Sequence, residues 1–113
     1  MNDKQKWLDV VIGIVIECCD VQYNGKNSIT REEILGKSKR ENAVLTRSLL
    51  ALQLKHEGYT VDTIAMILDR SPDAVRDMIS SGYDLVSSNK AFRRAAAEVA
   101  LKCCDADEGE ISL

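Results

Sequence analysis

Two charged stretches hold the residues best suited to meeting a polyanion. Lys37, Lys39 and Arg40 fall in the polar run GKSKRENA, and Arg47 follows in the apolar run after it. Mobile ammonium and guanidinium groups near a helix N-terminus can neutralise phosphates, and a guanidinium can enter a narrow minor groove. The second stretch, LDRSPDAVRDMI at 68–79, holds Arg70, Ser71 and Arg76, with Ser80 just beyond it. Arg70 and Arg76 are the stronger candidates for contacts in a major groove, Ser71 and Ser80 the lesser ones. The same stretch also carries Asp73 and Asp77, negative charges aimed at the same polyanion. Asp73 lies in the first turn of its helix, where a carboxylate complements the helix dipole without any ligand. Asp77 is either solvated or able to accept a hydrogen bond from a cytosine amine.

Other reactive side chains are arranged less productively. The four cysteines form two adjacent pairs, Cys18-Cys19 and Cys103-Cys104. Neighbours on a helix point about 100° apart, so neither pair readily closes on itself or encloses a tetrahedral metal. There is one histidine, His56, and no Cys-x-x-Cys spacing. No metal, cofactor or catalytic group is therefore expected, and the chain is not read as an enzyme. Reduced packing cysteines and no signal peptide fit a cytoplasmic protein. The apolar run WLDVVIGIVIECC is interrupted by Asp9 and Glu17. It is shorter than the about 20 residues needed to span a bilayer, and reads as a buried helix with no membrane role.

Net charge is -3, with 15 basic and 18 acidic groups, but the signs are segregated. Residues 26–60 carry seven Lys and Arg against four acids, residues 61–88 two against five, and residues 89–104 four against one. The last nine residues carry four acids and no base, which leaves the preceding body at +1. Bulk attraction for nucleic acid is excluded by this balance, whereas a local basic patch is not.

The apolar spacing predicts the elements that must position these groups. A helix from Lys4 to Val21 buries Leu8, Val11, Ile12, Val15, Ile16 and Cys19. Asn24-Gly25 and Asn27-Ser28 break it, and Thr30 with Glu33 caps a short helix REEILGK. The run AVLTRSLLALQLKHEG predicts a long helix through Val44, Leu45, Ser48, Leu49 and Leu52, closed by Gly58. Thr60 caps VDTIAMIL, in which Ile64, Ile67 and Leu68 face inward. After Asp69-Arg70-Ser71 the Ser71-Pro72 pair starts a helix that runs through Gly82 to Val86. A final helix starts near Ser88 or Asn89, and an acidic, disordered tail is expected after Asp105. With 113 residues, few aromatics and no strand-period segment, the chain predicts one all-α domain of five or six helices over residues 1–104.

Two short helices joined by a three-residue turn form a helix-turn-helix pattern. Around it, VVIGIVIECC, ITREEILGKSKRENAVLTRSLLALQL, GYTVDTIAMILDRSPDAV and NKAFRRAAAEVAL occur in an order that resembles the C-terminal DNA-binding domain (domain IV) of the bacterial replication initiator DnaA, within the Trp-repressor-like helix-turn-helix superfamily. The resemblance covers nearly the whole predicted helical body. It implies a bundle containing a helix-turn-helix, duplex DNA as partner, and phosphate and minor-groove contacts from the basic loop at Lys37, Lys39, Arg40 and Arg47. At the tip the family carries Asp-His-Thr-Thr, whereas this chain reads Ser71, Pro72, Asp73, Ala74 with one residue fewer before it, so origin-type recognition is not implied. The expected function is a small DNA-binding protein with a replication-accessory or regulatory role. The alternative is a protein-interaction module on the same scaffold that has lost DNA affinity. A homodimer or another protein partner is compatible with either.

Overall fold

The computed structural model describes residues 3–22, 30–36 and 41–111. Within them the chain forms α1 (Asp3–Gln22), α2 (Arg31–Leu35), α3 (Glu41–His56), α4 (Val61–Leu68), α5 (Pro72–Ser88) and α6 (Lys90–Ile111). No strand occurs among the described residues. The Cα radius of gyration is 13.3 Å, matching the roughly 13 Å expected for a single compact domain of about this length.

Short polar residues start four of the helices by satisfying amides that lie too early to find a carbonyl one turn back. Thr30 Oγ1 accepts from the Glu33 N–H at 3.1 Å and Thr60 Oγ1 from the Thr63 N–H at 3.2 Å. Ser71 Oγ accepts from the Ala74 N–H at 3.1 Å, and Asn89 Oδ1 from the Phe92 N–H at 2.9 Å. The ends are equally specific. Gly58 has φ +100° after α3, and Asp69 takes the left-handed conformation after α4. Aspartate tolerates that region better than most residues, and it lets the Arg70 N–H reach back to the Ala65 carbonyl at 3.0 Å.

The helix α3 is central and touches each of the other five. It is therefore buried on most sides, with Ala43, Thr46, Arg47, Ser48, Leu49, Leu50, Ala51, Gln53 and Leu54 all buried. One side of the core is closed by α1 against α6, through Val11, Ile12, Val15 and Cys18 on the first and Phe92, Ala95, Val99 and Cys103 on the second. On the other side α5 packs against α3, and Gly82 makes this approach possible: a Cβ there would lie 2.6 Å from Leu52 Cδ1.

Three expectations need correction. Val44, expected inside, is 45% exposed. The final helix does not stop before the acidic residues but continues to Ile111. Ala106, Glu108 and Glu110 favour helix, and the turn they extend is already formed, so each added residue avoids the cost of nucleation. The third correction, Arg47, belongs to the site. Of the core residues expected, Val11, Ile12, Val15, Leu49, Ile64 and Val75 are buried, while Leu52, Ile67 and Ile79 are partly so. No described helix is long and apolar enough to cross a membrane.

Candidate nucleic-acid interface

The end of the five-residue α2 and the three-residue turn between α4 and α5 define the candidate surface. A helix as short as α2 leaves most of its carbonyls without an amide one turn on, and they gather at its negative pole. Arg47 meets that need from α3. Its Nε donates to the Ile34 carbonyl at 2.9 Å, and Nη2 donates to the Glu33 carbonyl at 2.9 Å and the Gly36 carbonyl at 3.4 Å. With 5% of its surface exposed, Arg47 is not offered to a phosphate. Burial, and then the neighbouring Arg70, lower its pKa from the usual arginine value.

Arg70 reaches the same place from the opposite direction. Nη1 donates to the Leu68 carbonyl at 3.0 Å and the Asp69 carbonyl at 3.2 Å, while Nη2 donates to the Gly36 carbonyl. Its guanidinium thus stitches the α4–α5 turn to the end of α2, across 34 residues of sequence. Gly36 suits this junction because a Cβ would sit 2.7 Å from the Glu32 carbonyl oxygen. Lys37 follows Gly36 in the chain, but Lys37, Lys39 and Arg40 lie outside the described residues.

Beyond the turn, α5 presents a stripe of exposed residues at helical spacing: Asp73, Arg76, Asp77, Ser80 and Asp84. Arg76 Nη1 lies 2.8 Å from Asp73 Oδ1, with both side chains well exposed. Exposed pairs of this kind contribute less than about 1 kcal/mol, so Arg76 is easily surrendered to a better anion. Ser71 is exposed but committed to capping Ala74. Ser80 is exposed.

The expected constellation is therefore regrouped. Arg76 and Ser80 share one exposed face of α5 and Ser71 is exposed at its start, whereas Arg47 and most of the donors of Arg70 are turned inward onto carbonyls. Arg47 carried a sequence signal of this: it falls on the apolar stripe Ala43, Leu50, Ala51 and Leu54 at spacings of four, three, four and seven. A feature with no polar signature is Met66 on α4, 82% exposed. Elsewhere, Cys18, Cys19 and Cys103 are buried and Cys104 is exposed. Burial raises the Cys18 and Cys103 thiols, opposite to what a nucleophile needs. Among the described residues no cluster of His, Cys, Asp or Glu has the geometry to hold a metal. His56 lies beside a shallow groove of about 170 Å³ with Leu49, Leu52, Tyr83, Ala96 and Ala100.

No family model matches the chain, and no curated protein or solved structure is similar enough to it to count as a match.

Proposed function

We propose that this chain binds duplex DNA, with α4, the 69–71 turn and α5 serving as a helix-turn-helix of the type found in DnaA domain IV and the Trp-repressor-like proteins. Lys37, Lys39 and Arg40 supply phosphate contacts, and Arg76, Ser71 and Ser80 face the groove. One observation carries this reading: the Arg70 hydrogen bond to the Gly36 carbonyl brings the origin of the basic segment beside the tip of α5. Two elements far apart in sequence can then meet one face of a duplex. The biological role that fits is regulatory or replication-accessory, in the cytoplasm, with no catalytic step.

A second reading rests on the charges of α4 and the turn and helix after it, where Asp62, Asp69, Asp73, Asp77 and Asp84 are all exposed, and on Met66, 82% exposed, four residues from Asp62 and three from Asp69. Such a surface suits a basic protein partner, and exposed apolar residues rimmed by charge are what interfaces use. Fluorescence anisotropy of labelled duplexes over a salt series separates the two. DNA binding through the three cations gives log K falling with log salt at a slope of about -3. The triple Ala variant at Lys37, Lys39 and Arg40 should then lose nearly all of that slope. If the unaltered chain shows no salt-dependent binding, the protein-partner reading replaces the first.

A further inference from the structure

Two cationic side chains closing on one backbone carbonyl is a costly arrangement unless the junction they hold matters. Like charges repel, and a buried guanidinium gives up hydration that only good hydrogen bonds offset. Here Arg47 arrives from α3 and Arg70 from the α4–α5 turn, and both donate to the Gly36 carbonyl. Arg47 additionally holds the Glu33 and Ile34 carbonyls, fixing the last turn of α2. Arg70 additionally holds Leu68 and Asp69, fixing the turn itself. The planar fork of arginine can satisfy several carbonyls at once in a set geometry, which an ammonium on a flexible stem cannot.

We infer that Arg47 and Arg70 are positioning residues for DNA recognition: by sharing the Gly36 carbonyl they lock the end of α2 to the turn that opens α5, and so set the spacing and angle at which the two elements reach the duplex. This rests on the DNA-binding reading above. Neither arginine spends its charge on a phosphate; each controls where other residues sit. Sequence discrimination depends on α5 lying in register with the backbone contacts, so discrimination is the property the pair governs. Phosphate attraction is left to Lys37, Lys39 and Arg40.

The test uses the full chain with Arg70→Ala and Arg70→Lys, since Arg70 is only partly buried and its loss leaves the core intact. Amide hydrogen exchange reports the lock without DNA. The Ile34 and Gly36 amides bond to Thr30 and Glu32, and both should exchange at least about tenfold faster in each variant. Binding is then read on a preferred duplex, selected from a random pool by the unaltered chain, and on its scrambled counterpart. Discrimination between the two should fall about tenfold in both variants, with the salt slope unchanged. A slope reduced by about one in Arg70→Ala overturns the proposal, because Arg70 would then be a phosphate contact. Recovery of discrimination by Arg70→Lys also overturns it, since charge alone would suffice. Faster exchange with undiminished discrimination makes the pair purely structural, and unchanged exchange denies the lock. Absence of salt-dependent binding by the unaltered chain removes the DNA reading itself, an outcome the exchange measurement keeps distinct from failure of the lock.

Discussion

At the scale of single residues, two glycines in helices should respond to the same substitution with opposite signs. Gly13 lies exposed in α1, and a Cβ built there meets nothing within 4 Å. Gly13→Ala should stabilise by roughly 0.5–1 kcal/mol, the ordinary gain of alanine over glycine in a helix. Gly82→Ala begins with the same gain but drives its methyl into Leu52, 2.7 Å from Cγ as well as 2.6 Å from Cδ1. Leu52 cannot give way by moving only its tip, so a net loss of about 1–2 kcal/mol is expected. Urea midpoints of the two variants check this, and a stabilised Gly82→Ala would show that α3 and α5 are not in close contact there. The close approach was legible from the placement of a glycine in an otherwise apolar helix pattern; its partner was not, because no local signal says which helix lies opposite. Cys103 offers a pH test at the same scale. Burial first, then Glu57 and Cys18, push its thiol up to about 11 from an ordinary 9.0. A raised acid pKa in the folded state means full stability below pH 9 and progressive loss as pH rises through 9 to 11, by roughly 2 kcal/mol. Chemical unfolding at pH 8, 9.5 and 11 should show a steeper fall for the unaltered chain than for Cys103→Ala, and equal slopes would contradict it.

At the scale of elements, the sequence states helix starts more clearly than helix faces. Thr30, Thr60 and Ser71 are all caps, as their positions before apolar runs predict, and each makes the expected bond to an amide three residues on. Ser71→Ala should cost about 1 kcal/mol, read as a shift in the thermal midpoint of a few degrees for a domain of this size. No change would mean that the start of α5 is held by packing alone. Faces are harder because periodicity identifies an inward side only when there is an outward one. On α3, which meets helices on most sides, the apolar stripe placed Val44 inside and the family resemblance made Arg47 a phosphate contact, whereas Val44 is exposed and Arg47 buried. The misplacement of Arg47 carried directly into the site, where a supposed phosphate ligand proves to be a bracket for the carbonyls of α2. The link from Arg70 to Gly36 had no sequence signature, since a backbone carbonyl is common to every residue and 34 positions separate the partners.

At the scale of the whole molecule, the distribution of charge decides how the proposed DNA binding must behave. A chain of net charge -3 cannot hold DNA by its overall field, so attraction must come from a few cations and must overcome the acids beside them. The outer stripe of α5 sets Arg76 and Ser80 among Asp73, Asp77 and Asp84. Asp73 balances its unfavourable charge with a bond to Arg76 and a place at the positive end of the helix. Asp77 sits one turn further in, exposed on the surface that would approach the phosphates. If that surface enters the groove, removing the charge at 77 removes a repulsion of about 0.5–1 kcal/mol, the size of one like-charge contact across solvent. Asp77→Asn should therefore tighten binding to all duplexes about two- to fivefold at low salt. The gain should shrink as salt is raised, because screening weakens the repulsion it relieves. Discrimination stays unchanged unless Asp77 accepts from a cytosine amine, in which case it falls at a single base position and the nonspecific gain persists. Should Asp77→Asn leave DNA affinity unaltered at every salt concentration, α5 does not face the duplex, and its five-aspartate neighbourhood belongs to a basic protein partner instead.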